Sequence, residues 1–439
     1  MIQKNDIIST LNDWNYWNRD FTSTQKRTYY EERIIEKEKT GEIIILKGVR
    51  RSGKSTLILN TIKNLINSGI EKNNVLFVNL EDPKFMNYLN IDLLTQIKEV
   101  YLEYLNPQDI PYIFLDEIQN VAGFEKWLLK EYELRRSRLF ITGSNAKLLS
   151  KEIGTALSGR YLDEFILPLS FKEFLLFKGL CINNSMDIIN HSIEINRYFE
   201  EYIQYGGFPK VVLTDKIEMK KEMLRNYFDS ILMRDVVSRY ALDNVSSLMK
   251  LSVYALSNIS QSMSINSIKN QFRLSFDLIR NYLEYIENAY LIFRVPIFDW
   301  SLKKQNVNPK KVYCIDQGLS NIVSFNVGQR IGDRLENIVF LELLRQGFEI
   351  YYYKSTGDYE VDFVVKKNQH IVKMIQVSNN IDNAKTKKRE IKALVKASTD
   401  IPQAQKAELL LLVPDRDETI QLNGKQIIIK NVKEWLLHH

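Results

Sequence analysis

The run Gly48-Val49-Arg50-Arg51-Ser52-Gly53-Lys54-Ser55-Thr56 fills the pattern G-x-x-x-x-G-K-[ST]. Two glycines at this spacing let backbone N–H groups turn inward around phosphate oxygens. A helix beginning directly behind them adds unpaired donors and a partial positive charge. Gly48, Arg51, Ser52, Gly53, Lys54, Ser55 and Thr56 are therefore the candidate nucleotide contacts. Lys54 is spaced to reach the β- and γ-phosphates of a nucleoside triphosphate, and Ser55 to hold Mg²⁺. A second run, Tyr112-Ile113-Phe114-Leu115-Asp116-Glu117, ends an apolar stretch in two acids. Asp116 would complete the Mg²⁺ shell opposite Ser55, while Glu117 could polarise a water for attack on the γ-phosphate. Binding alone needs no Glu117, so its presence points to hydrolysis. A third run, Leu139 to Thr142, ends in Gly143-Ser144-Asn145. Asn145 or Ser144 could sense the γ-phosphate or the attacking water, although Gly-Ser-Asn is also ordinary turn chemistry.

These groups must be held at strand ends. Ile43 to Leu46 reads as a buried strand entering the glycine loop, and Thr56 to Leu65 repeats apolar residues at helical spacing behind it. Val75 to Asn79, Tyr112 to Leu115 and Leu139 to Thr142 read as further strands, separated by helical patterns over Asp92 to Leu105 and Lys126 to Leu134. Such alternation predicts an α/β fold with a parallel sheet covered on both faces. A strand between the two phosphate motifs, with Glu117 after Asp116, resembles the additional-strand, catalytic-glutamate branch of P-loop ATPases. Ser158-Gly159-Arg160 then precedes a last strand, Asp163 to Leu167. The glycine is expected to bring Arg160 to the nucleotide edge, as an arginine finger acting in cis or in trans, or else as a surface arginine in a turn.

The net charge of +6 is compatible with a nucleic-acid partner without demanding one. The only cysteines, Cys181 and Cys314, lack metal or disulfide spacing, and the four histidines do not cluster with them, which argues against a zinc site. No apolar run approaches bilayer length and the first residues hold no apolar signal core, so the expectation is a cytoplasmic protein with no membrane partner.

Composition shifts suggest five segments: 1–40, an extension packing on the ATPase; 41–168, the P-loop ATPase domain; 169–235, a helical lid opened by a Ser170/Glu173 capping box; 236–325, a winged-helix-like domain; and 326–439, a nuclease-like α/β domain. In the fourth, helices are expected over Ser247 to Ile259, Ser264 to Phe272 and Ser275 to Tyr290, with wing strands Leu291 to Val295 and Val312 to Ile315. The third helix offers Arg280, with Arg273 just before it, to phosphates or base edges. It also carries Asp277, Glu284 and Glu287, which suit a protein contact or a purely structural role equally well.

In the last segment Glu336 falls on an amphipathic helix, Asp362 in the middle of a strand, and Gln376-Val377-Ser378 on the next strand. The order resembles the restriction-endonuclease-like core of a helical acid, a strand Asp and then Glu-x-Lys. Here Gln376 and Ser378 stand where that pattern has the Glu and the Lys. Metal-dependent hydrolysis has thereby lost one carboxylate and its cation, leaving a degenerate site of Glu336, Asp362, Gln376 and Ser378. Lys373 points to the opposite face by strand alternation, so only a lysine from the following helix, Lys385 or Lys388, could restore activity.

Taken together, Gly48 to Thr56 with its double arginine, Phe114 to Gln119, Thr142 to Asn145, Ser158 to Arg160 followed by Pro168 to Phe174, Gly206 to Pro209, Arg234-Asp235, and Glu336, Asp362 and Gln376 carry a resemblance. They resemble archaeal and bacterial AAA-type P-loop ATPases with a C-terminal uncharacterised region built of a winged helix and a nuclease-like fold. That resemblance implies ATP and Mg²⁺ as cofactors, and an ATP-dependent switch whose C-terminal half binds DNA or a protein partner, with oligomerisation open. An ATP-gated DNA nuclease is opposed by Gln376 and Ser378, and a DNA-binding regulator with little turnover by Glu117.

Overall fold

The computed structural model describes residues 2–19, 24–145, 154, 157–324, 331–355, 357 and 359–438. The chain divides into two compact units between Ile166 and Leu167.

The first unit is built on the parallel strands β1 (Ile43–Lys47), β2 (Val75–Asn79), β3 (Tyr112–Asp116), β4 (Arg138–Gly143) and β5 (Tyr161–Phe165), in the order β2-β3-β4-β1-β5. Ile43 and Ile45 enter one apolar cluster with Leu93, Ile97 and Tyr101 of the helix Ile91–Leu105. Ile44 and Leu46 enter another with Leu57, Ile58 and Ile62 of the helix Lys54–Asn67. A strand buried on both faces must be apolar throughout, which is why Ile-Ile-Ile-Leu shows no alternation. Because β1 lies between β4 and β5, with β3 beyond β4, the loop after β1, the acids ending β3 and the polar tip of β4 open at one edge of the sheet.

Residues ahead of β1 pack on this sheet. Asn15 Nδ2 donates to the Phe77 carbonyl at 2.8 Å and Asn15 Oδ1 accepts from the Phe77 N–H at 2.7 Å, while Trp17 Nε1 donates to the Val75 carbonyl at 2.9 Å. They satisfy backbone groups of β2, the outermost strand on that side, which would otherwise be open to pairing with another chain.

The second unit opens with the expected capping box. Ser170 Oγ accepts from the Glu173 N–H at 3.1 Å and Glu173 Oε2 accepts from the Ser170 N–H at 2.9 Å. Arg234 and Asp235 lie in a π-helical stretch, Ile231–Ser238, that continues the helix Ile217–Ser230. Over eight residues an apolar pattern does not distinguish the two helical periods.

Helices Val245–Ser257, Ile265–Phe272 and Phe276–Asn288 follow, with an antiparallel sheet of β6 (Ser262–Met263), β7 (Ile292–Val295) and β8 (Lys310–Cys314) in the order β6-β8-β7. The helix Ile331–Arg345 leads to a mixed sheet of β9 (Glu349–Lys354), β10 (Glu360–Lys367), β11 (His370–Val377), β12 (Glu408–Val413), β13 (Glu418–Leu422) and β14 (Lys425–Asn431), in the order β13-β14-β12-β11-β10-β9.

The Gly206-Gly207 turn is explained by residues more than a hundred positions later. Gly206 has φ 75°, and a Cβ there would fall 1.8 Å from Asp316 Oδ1. Asp316 accepts from the N–H groups of Gly207 at 2.6 Å and Gly318 at 2.9 Å, and burial pushes its carboxyl up to about 7. Gln317 and Asn321 donate to the carbonyls of Tyr202, Ile203 and Gln204, closing the end of the helix Ser192–Tyr205. Among the described residues no helix is long and apolar enough to cross a membrane.

Candidate active site

The loop after β1 takes its shape from its backbone. A Cβ on Gly48 would meet the Ile166 carbonyl oxygen at 2.3 Å, so only glycine fits. Gly53, at φ 100°, is the N-cap of the helix Lys54–Asn67, and Arg51 adopts φ 70°. Lys54 Nζ donates to the carbonyls of Gly48 and Val49, each at 3.1 Å, and lies 3.7 Å from Glu117 Oε1. Ser55 Oγ donates to Asp116 Oδ2 at 2.7 Å, and Thr142 Oγ1 donates to Asp116 Oδ1 at 2.5 Å. Thr142 Oγ1 in turn accepts from the Glu117 N–H at 2.8 Å, tying the tips of β3 and β4 together.

Glu117 has φ 55°, a left-handed conformation that costs a non-glycine residue about 1–3 kcal/mol and is kept where surrounding contacts over-determine it. Those contacts are Lys54, the Thr142 hydroxyl and Gln119, whose Nε2 donates to Glu117 Oε2 and, at 3.3 Å, to Ser144 Oγ. Burial works to raise the Glu117 carboxyl, but Lys54 and Arg50 outweigh it and hold the group below the usual value. Its neighbour goes the other way: burial, with Glu117 beside it, pushes Asp116 up to about 6. Two adjacent acids with separated proton affinities suit a divided task, one ready to take a proton and one ready to exchange a proton for a metal.

The donor set fits Mg²⁺. Ser55 and Asp116 offer hard oxygens side by side, and Mg²⁺ bound with a nucleotide draws most of its shell from phosphate and water. Ser52 Oγ is buried and has no hydrogen-bond partner among the described residues, which is what a loop built to wrap an anion leaves behind. The side chains of Arg51 and Thr56 are exposed, while Ser144 and Asn145 are buried together at the tip of β4.

Arg160 does not join them. It precedes β5, and its carbonyl accepts from the N–H of Ile43 at the start of β1, at the end of the sheet opposite the phosphate loop. Its guanidinium pairs with Glu133 at 2.8 Å on the surface. Five residues of strand at ~3.3 Å each separate it from the nucleotide edge by about 16 Å. The expectation fails because β5 runs parallel to β1: Arg160, just ahead of β5, sits at the edge where the strands begin, while the phosphate loop follows the edge where β1 ends. Arg160→Ala should therefore leave steady-state turnover within roughly threefold of wild type, as for an exposed ion pair. A several-hundredfold loss would return Arg160 to the reaction as a finger supplied in trans.

A second constellation lies in the C-terminal unit. Glu336, Asp362 and Gln376 converge, whereas Ser378 does not: its hydroxyl donates to the Asn380 carbonyl at 3.1 Å. Gln376 Oε1 accepts from the backbone N–H of Asp362 at 3.2 Å. Lys385 and Lys388 are exposed. The cation comes instead from β8, as Lys311. Its ammonium lies 2.9 Å from Asp362 Oδ1, 3.1 Å from Glu336 Oε1 and 2.7 Å from Glu360 Oε1, with 3% of the side chain exposed. Tyr313, on the same face of β8, donates to Glu336 Oε1 at 2.6 Å. Lys311 and Tyr313, two residues apart in a strand, share one face of it by the strand period, which is the signal the sequence holds for this pair.

A parallel sheet in this order, with the glycine loop, Asp116 and Glu117 at one edge, defines an AAA-type P-loop nucleotide-binding protein. A family model described as an AAA domain matches residues 40–175, and two described as domains of unknown function match 196–329 and 331–434. An uncharacterized protein of Methanocaldococcus jannaschii is 35% identical over 90% of this chain and 87% of its own length, and one of Haemophilus influenzae is 32% identical over 81% and 87%. The chain belongs to the family of these two proteins. Solved structures with some likeness include a Walker-type ATPase of Pyrococcus abyssi, at TM-score 0.41 and 15% identity, covering 68% of this chain and 95% of that one. AMPPCP-bound DnaA from Aquifex aeolicus follows at TM-score 0.28 and 15% identity, covering 61% and 89%. Likenesses at these scores carry no argument.

Proposed function

We propose that this protein binds ATP with Mg²⁺ and hydrolyses it as a molecular switch, with the helical and C-terminal unit engaging a protein partner. The observation that carries the reading is the pairing of Ser55 Oγ with Asp116 Oδ2 at 2.7 Å, beside an ionised Glu117 held 3.7 Å from Lys54. ATP would lay its phosphates along the loop, with Lys54 released from the Gly48 and Val49 carbonyls to the β- and γ-oxygens. Mg²⁺ held by Ser55 and Asp116 would supply charge neutralisation for the departing phosphate. Glu117 then takes the proton of the attacking water, with Gln119 and Ser144 orienting the carboxylate.

A protein partner is favoured over nucleic acid by the segment between β7 and β8, where Trp300, Leu302 and Val307 are 61%, 73% and 77% exposed. Large apolar side chains left in water suit a protein contact better than a phosphate backbone. Arg280, the candidate base reader of the fourth segment, is paired with Asp277 at 2.9 Å. A winged-helix reading of the helices and strands over 245–314 is compatible with either use.

Steady-state ATP turnover of the full chain, alone and with single-stranded DNA, duplex DNA or RNA, tests the reading. Mg²⁺-dependent turnover unaltered by nucleic acid is expected. Strong stimulation by DNA would replace the protein partner with DNA, and no turnover under any condition would remove the hydrolytic switch.

A further inference from the structure

The acids of the C-terminal constellation resemble those that hold a divalent metal in nucleases, but the space between them is taken. We propose that the Lys311 ammonium stands where a divalent cation would have to bind, making this centre an internal ion cluster that excludes metal and ties β8 to β10. The first ground is position: Asp362 Oδ1 at 2.9 Å and Glu336 Oε1 at 3.1 Å both face Lys311 Nζ, so the ammonium bridges the two carboxylates as a metal would. A divalent ion could enter only by displacing it, because two cations a few ångströms apart in a water-poor interior repel strongly.

The second ground is that the same side chains are also held by other donors. Asp362 Oδ2 accepts from the Val377 N–H at 3.0 Å, and Glu336 Oε1 also takes the Tyr313 hydroxyl at 2.6 Å. Gln376 is neutral and turns its amide oxygen to a backbone N–H. Hard divalent cations need several free oxygens, and here Glu336 Oε1, both Asp362 oxygens and Gln376 Oε1 each already accept a hydrogen bond.

The third ground is charge. Burial works to lower the Lys311 ammonium, yet Asp362 and Glu336 hold it well above an ordinary lysine. Burial and then Asp362 push the Glu336 carboxyl up. The carboxylates are thus faced by a cation from within the chain, the Lys311 ammonium between Asp362, Glu336 and Glu360.

The consequence lies in assembly. Lys311 belongs to the sheet β6-β8-β7 and Asp362 to the sheet containing β10, so the cluster joins the two sheets of this unit at a buried point. A constellation resembling a catalytic one is used here as a joint.

Mn²⁺ binding by the nucleotide-free full chain, read from the electron paramagnetic resonance of the free ion, tests this. Wild type and Glu336→Gln should take up the same number of equivalents, because on this proposal the Glu336 centre binds no metal in the wild type. Lys311→Ala should take up one equivalent more. Without Mn²⁺ it should melt lower than wild type by roughly 6 °C or more, since removing one member of a buried cluster strands the others, and Mn²⁺ should recover part of that loss. An equivalent present in wild type and missing from Glu336→Gln would overturn the proposal. So would a Lys311→Ala protein that melts with wild type and binds no extra Mn²⁺. If Lys311→Ala does not fold, the comparison of wild type with Glu336→Gln decides alone, and it fails the proposal on the same outcome.

Discussion

Lys54→Ala is expected to lower ATP affinity by at least about a hundredfold and to abolish turnover, because on the proposed reading its ammonium is the group that meets the transferring phosphate. The loss has two parts. Charge-assisted contacts to the β- and γ-oxygens would be lost, and the Gly48 and Val49 carbonyls, each 3.1 Å from Nζ, lose their shared donor. Glu117 also loses the nearest charge that keeps it ionised, so the base is weakened with the binding site. Lys54 is itself buried, and thermal melting therefore has to accompany the measurement. A variant that melts near wild type and fails to bind a fluorescent ATP analogue meets the expectation. One that binds it tightly would mean the loop holds its nucleotide by backbone alone and would sink the assigned role.

How much of this was legible beforehand depended on whether the signal was local. The phosphate loop, Asp116 and Glu117 were legible because each needs a fixed spacing within a few residues and a strand end to deliver it. β1 to β4 were legible because strands buried on both faces are continuous apolar runs. The place of Arg160 ahead of a strand is legible in the sequence, but the sheet edge this puts it on follows only from β5 running parallel to β1. Gln119 was passed over although it lies two residues beyond Glu117, since nothing in a short turn reveals which way an amide points. Lys311 was invisible as a partner of Asp362 for a different reason: fifty-one residues separate them, and only the register of two different sheets brings them together. The Gly206-Gly207 turn was legible as a turn, while its cause, Asp316, was not.

Glu117→Gln separates binding from chemistry. The amide keeps the size of the side chain and can still face Gln119 and Ser144, but it has no proton affinity with which to activate water. Turnover should fall by roughly a hundredfold or more while ATP affinity is kept or improved. The direction of the shifts at the two acids adds a pH test. Glu117 is held below the usual carboxylate value, so it stays ionised across the neutral range and adds no acid limb there. Asp116, raised to about 6 by burial, takes up a proton as the pH falls through that value and then cannot hold Mg²⁺. Wild-type turnover should thus decline below about pH 6, and higher Mg²⁺ should move the decline to lower pH because metal competes with the proton. Single-turnover assays of wild type and Glu117→Gln at matched ATP occupancy, with wild type run across that pH range at low and high Mg²⁺, read both effects. Residual activity close to wild type would take the proton-accepting role from Glu117. An acid limb that ignores Mg²⁺ would mean that some group other than Asp116 titrates there.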